Sequence, residues 1–193
     1  MQGVDAMLAL EAIEDAVSQL NEETGEEVDF LTEDRGRVIT IGKSYRKYHK
    51  LVTYAESADV DDAEKHRAEL GNYYLMHVTG AGKAILAEYP DSRIEQIVER
   101  WGLPKRTENT ITQLDSLLDE MERTRQRGVA FDDEECFEGM RGIGVPITDR
   151  SDTVLAGIAL YGPPTRLDDE SFFDEYPAVV QEYANVIKGN LEY

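Results

Sequence analysis

Apolar residues at Leu10, Ile13, Val17 and Leu20 recur at three- and four-residue spacing, which predicts a helix from about Val4 to Thr24, stopped by Gly25. Two strand-like runs follow, Val28 to Thr32 and Val38 to Gly42. The Asp/Gly-bearing stretch Glu33-Asp34-Arg35-Gly36-Arg37 between them suits a hairpin, with Phe30, Ile39 and Ile41 on one sheet face. Tyr73 to Met76 reads as a further strand, after which Thr79 is placed to cap a helix whose apolar face opens at Ala84 to Leu86. Asp91 to Trp101 predicts the next helix, with Ile94, Ile97 and Val98 on one face and Gly102 and Pro104 as its stop. The strongest helical pattern comes after it: Leu114, Leu117, Leu118 and Met121 form a stripe, with Thr112 as cap and Asp115 three residues on. Gly128 ends that helix behind Arg123, Arg125 and Arg127, cations that suit a helix C-terminus. Val129 to Phe131, Gly142 to Thr148 and Thr153 to Tyr161 read as strands, the last two joined by Asp149-Arg150-Ser151-Asp152. A final helix, Phe172 to Leu191, turns Val179, Val180, Tyr183 and Ile187 inward, with Pro177 a point of interruption. The order predicts an α+β domain: a central antiparallel sheet flanked by helices.

Charge changes this picture more than any other feature of composition. Forty acidic against 20 basic side chains give a formal net charge of −20, and only 7 of the bases are lysine. A dispersed acidic surface repels itself unless salt screens it, so a cytoplasm rich in salt is the expected setting. The same sign argues against direct nucleic-acid contact by this surface, which would need cations for phosphate. With 41% hydrophobic residues in periodic segments, the chain is expected to fold rather than stay disordered. No run of about 18 apolar residues offers a membrane span, and no basic-then-apolar leader is present, so a cytoplasmic location is expected. Cys136 is the only cysteine, which excludes an intrachain disulfide and a cysteine-based zinc cluster.

The stretch His77 to Ala87 is the chain's best candidate for chemistry. Small residues at Gly80, Ala81 and Gly82 leave the N–H groups of a first helical turn open to an anion, unless this is a tight turn with no ligand. It is not a nucleotide-binding P-loop: His77 stands where the first glycine belongs, and Ala84 where a magnesium-binding hydroxyl is needed. Lys43-Ser44-Tyr45-Arg46-Lys47-Tyr48-His49-Lys50 is the basic cluster, suited to a charged edge strand or an acidic neighbouring subunit rather than to nucleic acid. Residues 55 to 69 read as a solvated loop. The acids Asp132, Asp133, Glu134 and Glu135 are consecutive and would point different ways, so no metal site is assigned to them. His49, His66 and His77 lack metal spacing, and His77 is expected to be a hydrogen-bonded structural residue. Cys136 beside four acids should be a poor nucleophile. No catalytic constellation emerges, no cofactor is implied, and binding is favoured over catalysis.

Leu75-Met76-His77-Val78-Thr79-Gly80-Ala81-Gly82-Lys83-Ala84-Ile85-Leu86-Ala87 resembles the leucine-x-His-x-Thr/Ser-Ala/Gly-x-Gly-Lys-Ala-x-Leu-Ala signature of the effector-binding domain of IclR-type transcriptional regulators. Thr107 with Thr110-Ile111-Thr112 is similar to the family's threonine-rich approach to its long helix. Arg125 to Glu135, Gly139 to Asp149 and Gly162-Pro163 to Arg166-Leu167 resemble further family segments in the right order. The resemblance spans residues 4 to 193.

It implies a GAF/profilin-like sheet that binds a small organic effector, often a carboxylate or aromatic metabolite. Residues 1–24 would be a linker or first helix and 25–193 the effector domain. DNA contact would belong to an amino-terminal winged helix-turn-helix absent from this chain, so a fragment of a longer regulator is expected over a stand-alone sensor. Self-association to a dimer or tetramer is also implied. Position by position, backbone at Gly80 and Ala81 would meet the effector's anionic end, and Asp132 would accept a hydrogen bond. Gly142 stands where a cysteine is common; Ala159 and Tyr161 stand where small-acid binders carry serine. Those departures argue against glyoxylate- or pyruvate-like effectors and for a larger, partly aromatic or hydroxylated ligand, with Tyr74 and Met76 as apolar walls. The competing readings are a dimerisation module without a ligand, or an enzyme using Asp132 with Glu135.

Overall fold

The computed structural model describes residues 2–44, 51–53 and 71–191. The basic segment after Ser44, the polar loop 55–69, and His49 and His66 lie outside the described residues. Helix α1 (Gln2–Thr24) leads into the hairpin β1 (Glu27–Asp34) and β2 (Arg37–Ser44). Arg35 and Gly36, at φ 55° and 85°, form its turn, a left-handed pair that matches strand twist. Strands β3 (Leu51–Thr53) and β4 (Tyr73–Leu75) both pair with β2. A single 3-10 turn, Met76–Val78, replaces the end of the expected strand before α2 (Gly80–Ala87). Helices α3 (Asp91–Trp101) and α4 (Leu114–Arg127) follow, then β5 (Ala130–Asp133), β6 (Arg141–Thr148) and β7 (Val154–Gly162). A π-helical turn, Ser171–Glu175, opens onto α5 (Tyr176–Leu191). Pro177 does not interrupt α5, because it falls in the first turn, where a missing N–H costs nothing.

The sheet runs β3-β2-β1-β7-β6-β5 and every pairing is antiparallel. On one face α1 and α5 bury Val17, Leu20, Phe172, Val180 and Ile187 against Val28, Phe30, Ile143, Ile158 and Leu160. On the other, α2 lies on β6 and β7 with α3 and α4 outside it, and Leu31, Val38, Met76, Ile85, Leu86, Ile94, Leu117, Met121 and Ala159 form a second core. Arg166 seals the sheet exit by donating two hydrogen bonds to Glu26, at 2.7 and 2.8 Å.

Two local expectations are corrected. Thr112 does not cap α4: it is exposed, and Gln113 precedes the first turn without a side-chain bond. The hydroxyls that work here are those of Thr107 and Thr110, which reach across to another loop. Ile41 does not join Phe30 on an inner face. Phe30 pairs with Gly42 and Leu31 with Thr40, so Ile41 is the extra residue of a β-bulge and stands exposed.

Candidate functional site

The bulge at Ile41 has a chemical result. It shifts the alternation of β2 so that Lys43, paired with Asp29, shares a face with Leu31. Along β1, Glu27, Asp29 and Leu31 point to that face while Val28 and Phe30 enter the α1/α5 core. The register then carries one transverse row across the sheet: Glu27 opposite Tyr161, Tyr161 opposite Gly142, Gly142 opposite Asp132.

A cavity of about 220 Å³ stands over these residues. Glu27, Asp29 and Leu31 of β1, Lys43 of β2, Asp132 of β5 and Tyr161 of β7 form its floor and sides; Tyr74 of β4, Thr79, and Cys136, Phe137 and Met140 after β5 complete the wall. Lys43 is buried and ion-pairs with Glu27 and, at 3.4 Å, with Asp29.

Asp132 is only 1% exposed. Its Oδ1 accepts the backbone N–H of Glu135 at 2.8 Å and of Cys136 at 3.2 Å, a closed acid-to-backbone turn. Burial pushes its carboxyl up to about 7, against the nearby Lys83 ammonium and the Glu135 N–H, which favour the anion. Behind it Lys83, fully buried, donates to Glu135 Oε1 at 2.6 Å. Thr107 donates to the Glu134 carbonyl at 2.7 Å and Thr110 to the Glu135 carbonyl at 2.8 Å, fastening the turn from the approach to α4. Each of the four consecutive acids thus has its own work. Asp133 pairs with Arg141 at 2.8 Å, and Glu134 accepts the Gly139 N–H at 2.6 Å. Their partners lie in different directions, so the four do not converge as the ligands of a metal ion would. Burial and the Asp132 charge push the Cys136 thiol up to about 12, so it is a poor nucleophile at neutral pH. His77 is buried beside the Pro104 carbonyl at 3.3 Å, and burial lowers it to about 4.

Of the residues singled out in the sequence, Tyr74, Asp132 and Tyr161 line the cavity. Gly80, Ala81, Gly142 and Ala159 lie behind its wall, and Met76 is in the second core. The reason is close backbone packing. A β-carbon on Gly144 would run into the Gly80 carbonyl, and one on Gly142 into the Tyr161 ring. The start of α2 also satisfies its own N–H groups: Gly82 donates to Thr79 Oγ1 at 3.0 Å and Lys83 to the Thr79 carbonyl at 2.9 Å. The Ala81 N–H faces the phenol oxygen of Tyr161, whose pKa burial and the charges of Asp29 and Asp132 raise well above the ordinary value. Sequence reasoning missed Glu27, Asp29, Leu31, Lys43, Thr79, Cys136, Phe137 and Met140 as wall residues. The period-two pattern of β1 places 27, 29 and 31 together, but acids on such a face ordinarily mark solvent.

The family model described as "Bacterial transcriptional regulator IclR C-terminal" matches residues 1–188. The chain belongs to this family. Among curated relatives, the probable HTH-type transcriptional regulator ArcR of Halobacterium salinarum is 36% identical over 117 residues, 61% of this chain and 44% of that protein. The HTH-type transcriptional regulator KdgR of Escherichia coli is 32% identical over 126 residues, 65% of this chain and 48% of that protein. This IclR-type chain therefore spans about half the length of the curated relatives it matches. The crystal structure of the C-terminal domain of E. coli KdgR superposes with a TM-score of 0.79 at 25% identity, covering 96% of this chain and 99% of that one. The antiparallel sheet and its helices are thus the GAF-like fold of IclR C-terminal domains.

Proposed function

We propose that this IclR-type chain is the effector-sensing part of a longer transcriptional regulator. A small organic molecule binds in the cavity over the Glu27–Tyr161–Gly142–Asp132 row, its occupancy biases how subunits are arranged, and a winged helix-turn-helix outside this chain contacts DNA. The observation that carries the reading is the cavity itself: buried and half-buried polar side chains from β1, β2, β5 and β7 converge on a space of about 220 Å³, small-molecule size, with aromatic walls. The curated relatives are named as regulators, which supports binding without turnover. Against an enzyme, Glu135 does not line the cavity, because Lys83 holds it behind the wall. Tyr161 over Gly142 narrows the floor and presents a ring, which favours a partly aromatic or hydroxylated ligand over a two- or three-carbon acid. Association as a dimer or tetramer belongs to the same proposal, as does a cytoplasmic setting; none of the described helices is long and apolar enough to cross a membrane.

Thermal unfolding in molar KCl against small carboxylates, keto acids, sugar acids, aromatic acids and amines tests the reading. A ligand of the folded state stabilises it by RT ln(1 + [L]/Kd), so one chemical class should raise the midpoint by several degrees with no ligand consumed. Uniform indifference of a folded sample to the whole panel would contradict it, as would turnover of any compound.

A further inference from the structure

We infer that the ligand of this cavity carries a protonated nitrogen, as an amine, amidine or guanidine joined to a small apolar body, and that Asp132 is its counter-ion. The inference rests on the effector-binding reading above and specifies its chemistry.

Three observations carry it. The first concerns the helix start that would hold an anion. Thr79 takes the N–H groups of Gly82 and Lys83, and the phenol of Tyr161 faces that of Ala81, so three of the four N–H groups that would cradle an anion at the start of α2 are engaged within the fold. The second is the charge of the wall. Among the described residues it holds three carboxylates, Glu27, Asp29 and Asp132, against the single ammonium of Lys43, which pairs with Glu27 and Asp29. Asp132 is left: Oδ1 is engaged by the backbone, while Oδ2 has no hydrogen bond from a described residue. A buried carboxylate oxygen bordering a cavity gains a charge-assisted hydrogen bond from a cation and repels an anion. The third is the rest of the wall. Tyr74, Tyr161 and the 57%-exposed Phe137 offer ring faces, and Leu31 and Met140 offer apolar surface. Such rings favour a cation with an apolar body.

Other groups around Asp132 set how binding depends on pH. Lys83 of α2, Glu135 and Cys136 of the following turn, and Tyr161 of β7 all face it. Cys136 and Tyr161, both raised, stay neutral near pH 7; burial also raises the Glu135 carboxyl, but Lys83 opposes that shift and Glu135 does not line the cavity, so the titrating carboxyl that borders the ligand is Asp132.

The test titrates the full chain at one fixed KCl concentration with two matched pairs of probes, benzamidine against benzoate and butylamine against butyrate. The expected result is saturable binding of the two cations, at least about tenfold tighter than of their anionic partners, and weakening about tenfold between pH 8 and pH 5 as the carboxyl protonates. Asp132→Asn, checked for folding by circular dichroism, should lose the preference for the cation; the pH series on the unmodified chain gives the same answer without a variant. Tighter binding of benzoate than benzamidine would overturn the nitrogen assignment and leave the effector reading standing. Cation affinity indifferent to both pH and Asp132→Asn would overturn the role of Asp132. No binding of any probe, cationic or anionic, would overturn both this assignment and, with the wider panel also silent, the effector reading.

Discussion

Asp132 carries two opposed requirements. Its Oδ1 closes the turn at Glu135 and Cys136, yet burial, helped by the Glu135 charge, works against its ionised form. Its folded carboxyl titrates near 7, above the ordinary value of 3.8, so its contribution to stability is full below about pH 4 and is lost as pH rises through 7. An asparagine there accepts the same N–H groups without the charge. Asp132→Asn should therefore gain stability relative to the unmodified chain as pH rises from about 4 to 8, by on the order of a few kcal/mol, read from urea unfolding at each pH. A difference that is flat across that range would contradict the buried-acid account. Gly142 and Tyr161 form the second residue-scale pair. Because a β-carbon at 142 meets the Tyr161 ring, Gly142→Ala should cost about 1–3 kcal/mol, and Tyr161→Ser should relieve most of that cost in the double variant. Additive losses would mean the two positions do not share the space.

The elements show why the signature stretch is built of small residues. Thr79 caps α2, and Gly80 and Gly144 bring its first turn onto the backbone of β6. Thr79→Ala should cost about 1 kcal/mol, the usual loss of a cap, and Gly144→Ala should cost more, because the strand and helix backbones would have to separate. Equal melting midpoints for the two variants would contradict that ranking. Helices α3 and α4, the β1–β2 hairpin and the β6–β7 pair were legible from periodicity and turn residues, because each is specified by neighbours a few positions away. Asp132 and Tyr161 were reached through the family resemblance. Lys43 as a wall residue was not legible: it depends on a bulge that moves one residue out of register and so changes the face of everything after it. Glu27 and Asp29 were hidden for a related reason, since strand alternation distinguishes two faces but not which one a cavity occupies. The start of α2 looked like an open anion site because sequence shows which N–H groups lack helical partners, and not that Thr79 and a phenol some 80 positions downstream would face them.

At the scale of the whole molecule, the formal charge of −20 dominates. Buried pairs such as Lys83–Glu135 are little screened by salt, whereas self-repulsion among dispersed surface acids is. Raising KCl from tens of millimolar to molar should therefore raise the unfolding midpoint; a midpoint indifferent to KCl would contradict the proposed high-salt setting. This family member is proposed to sense a small molecule in the cavity floored by Tyr161. The measurement that tests it most directly is isothermal titration of the strongest ligand from the panel into the unmodified chain and into Tyr161→Ser. One saturable site per chain is expected, with affinity or ligand preference altered in the folded variant. Unchanged affinity for the same ligands in Tyr161→Ser would contradict it.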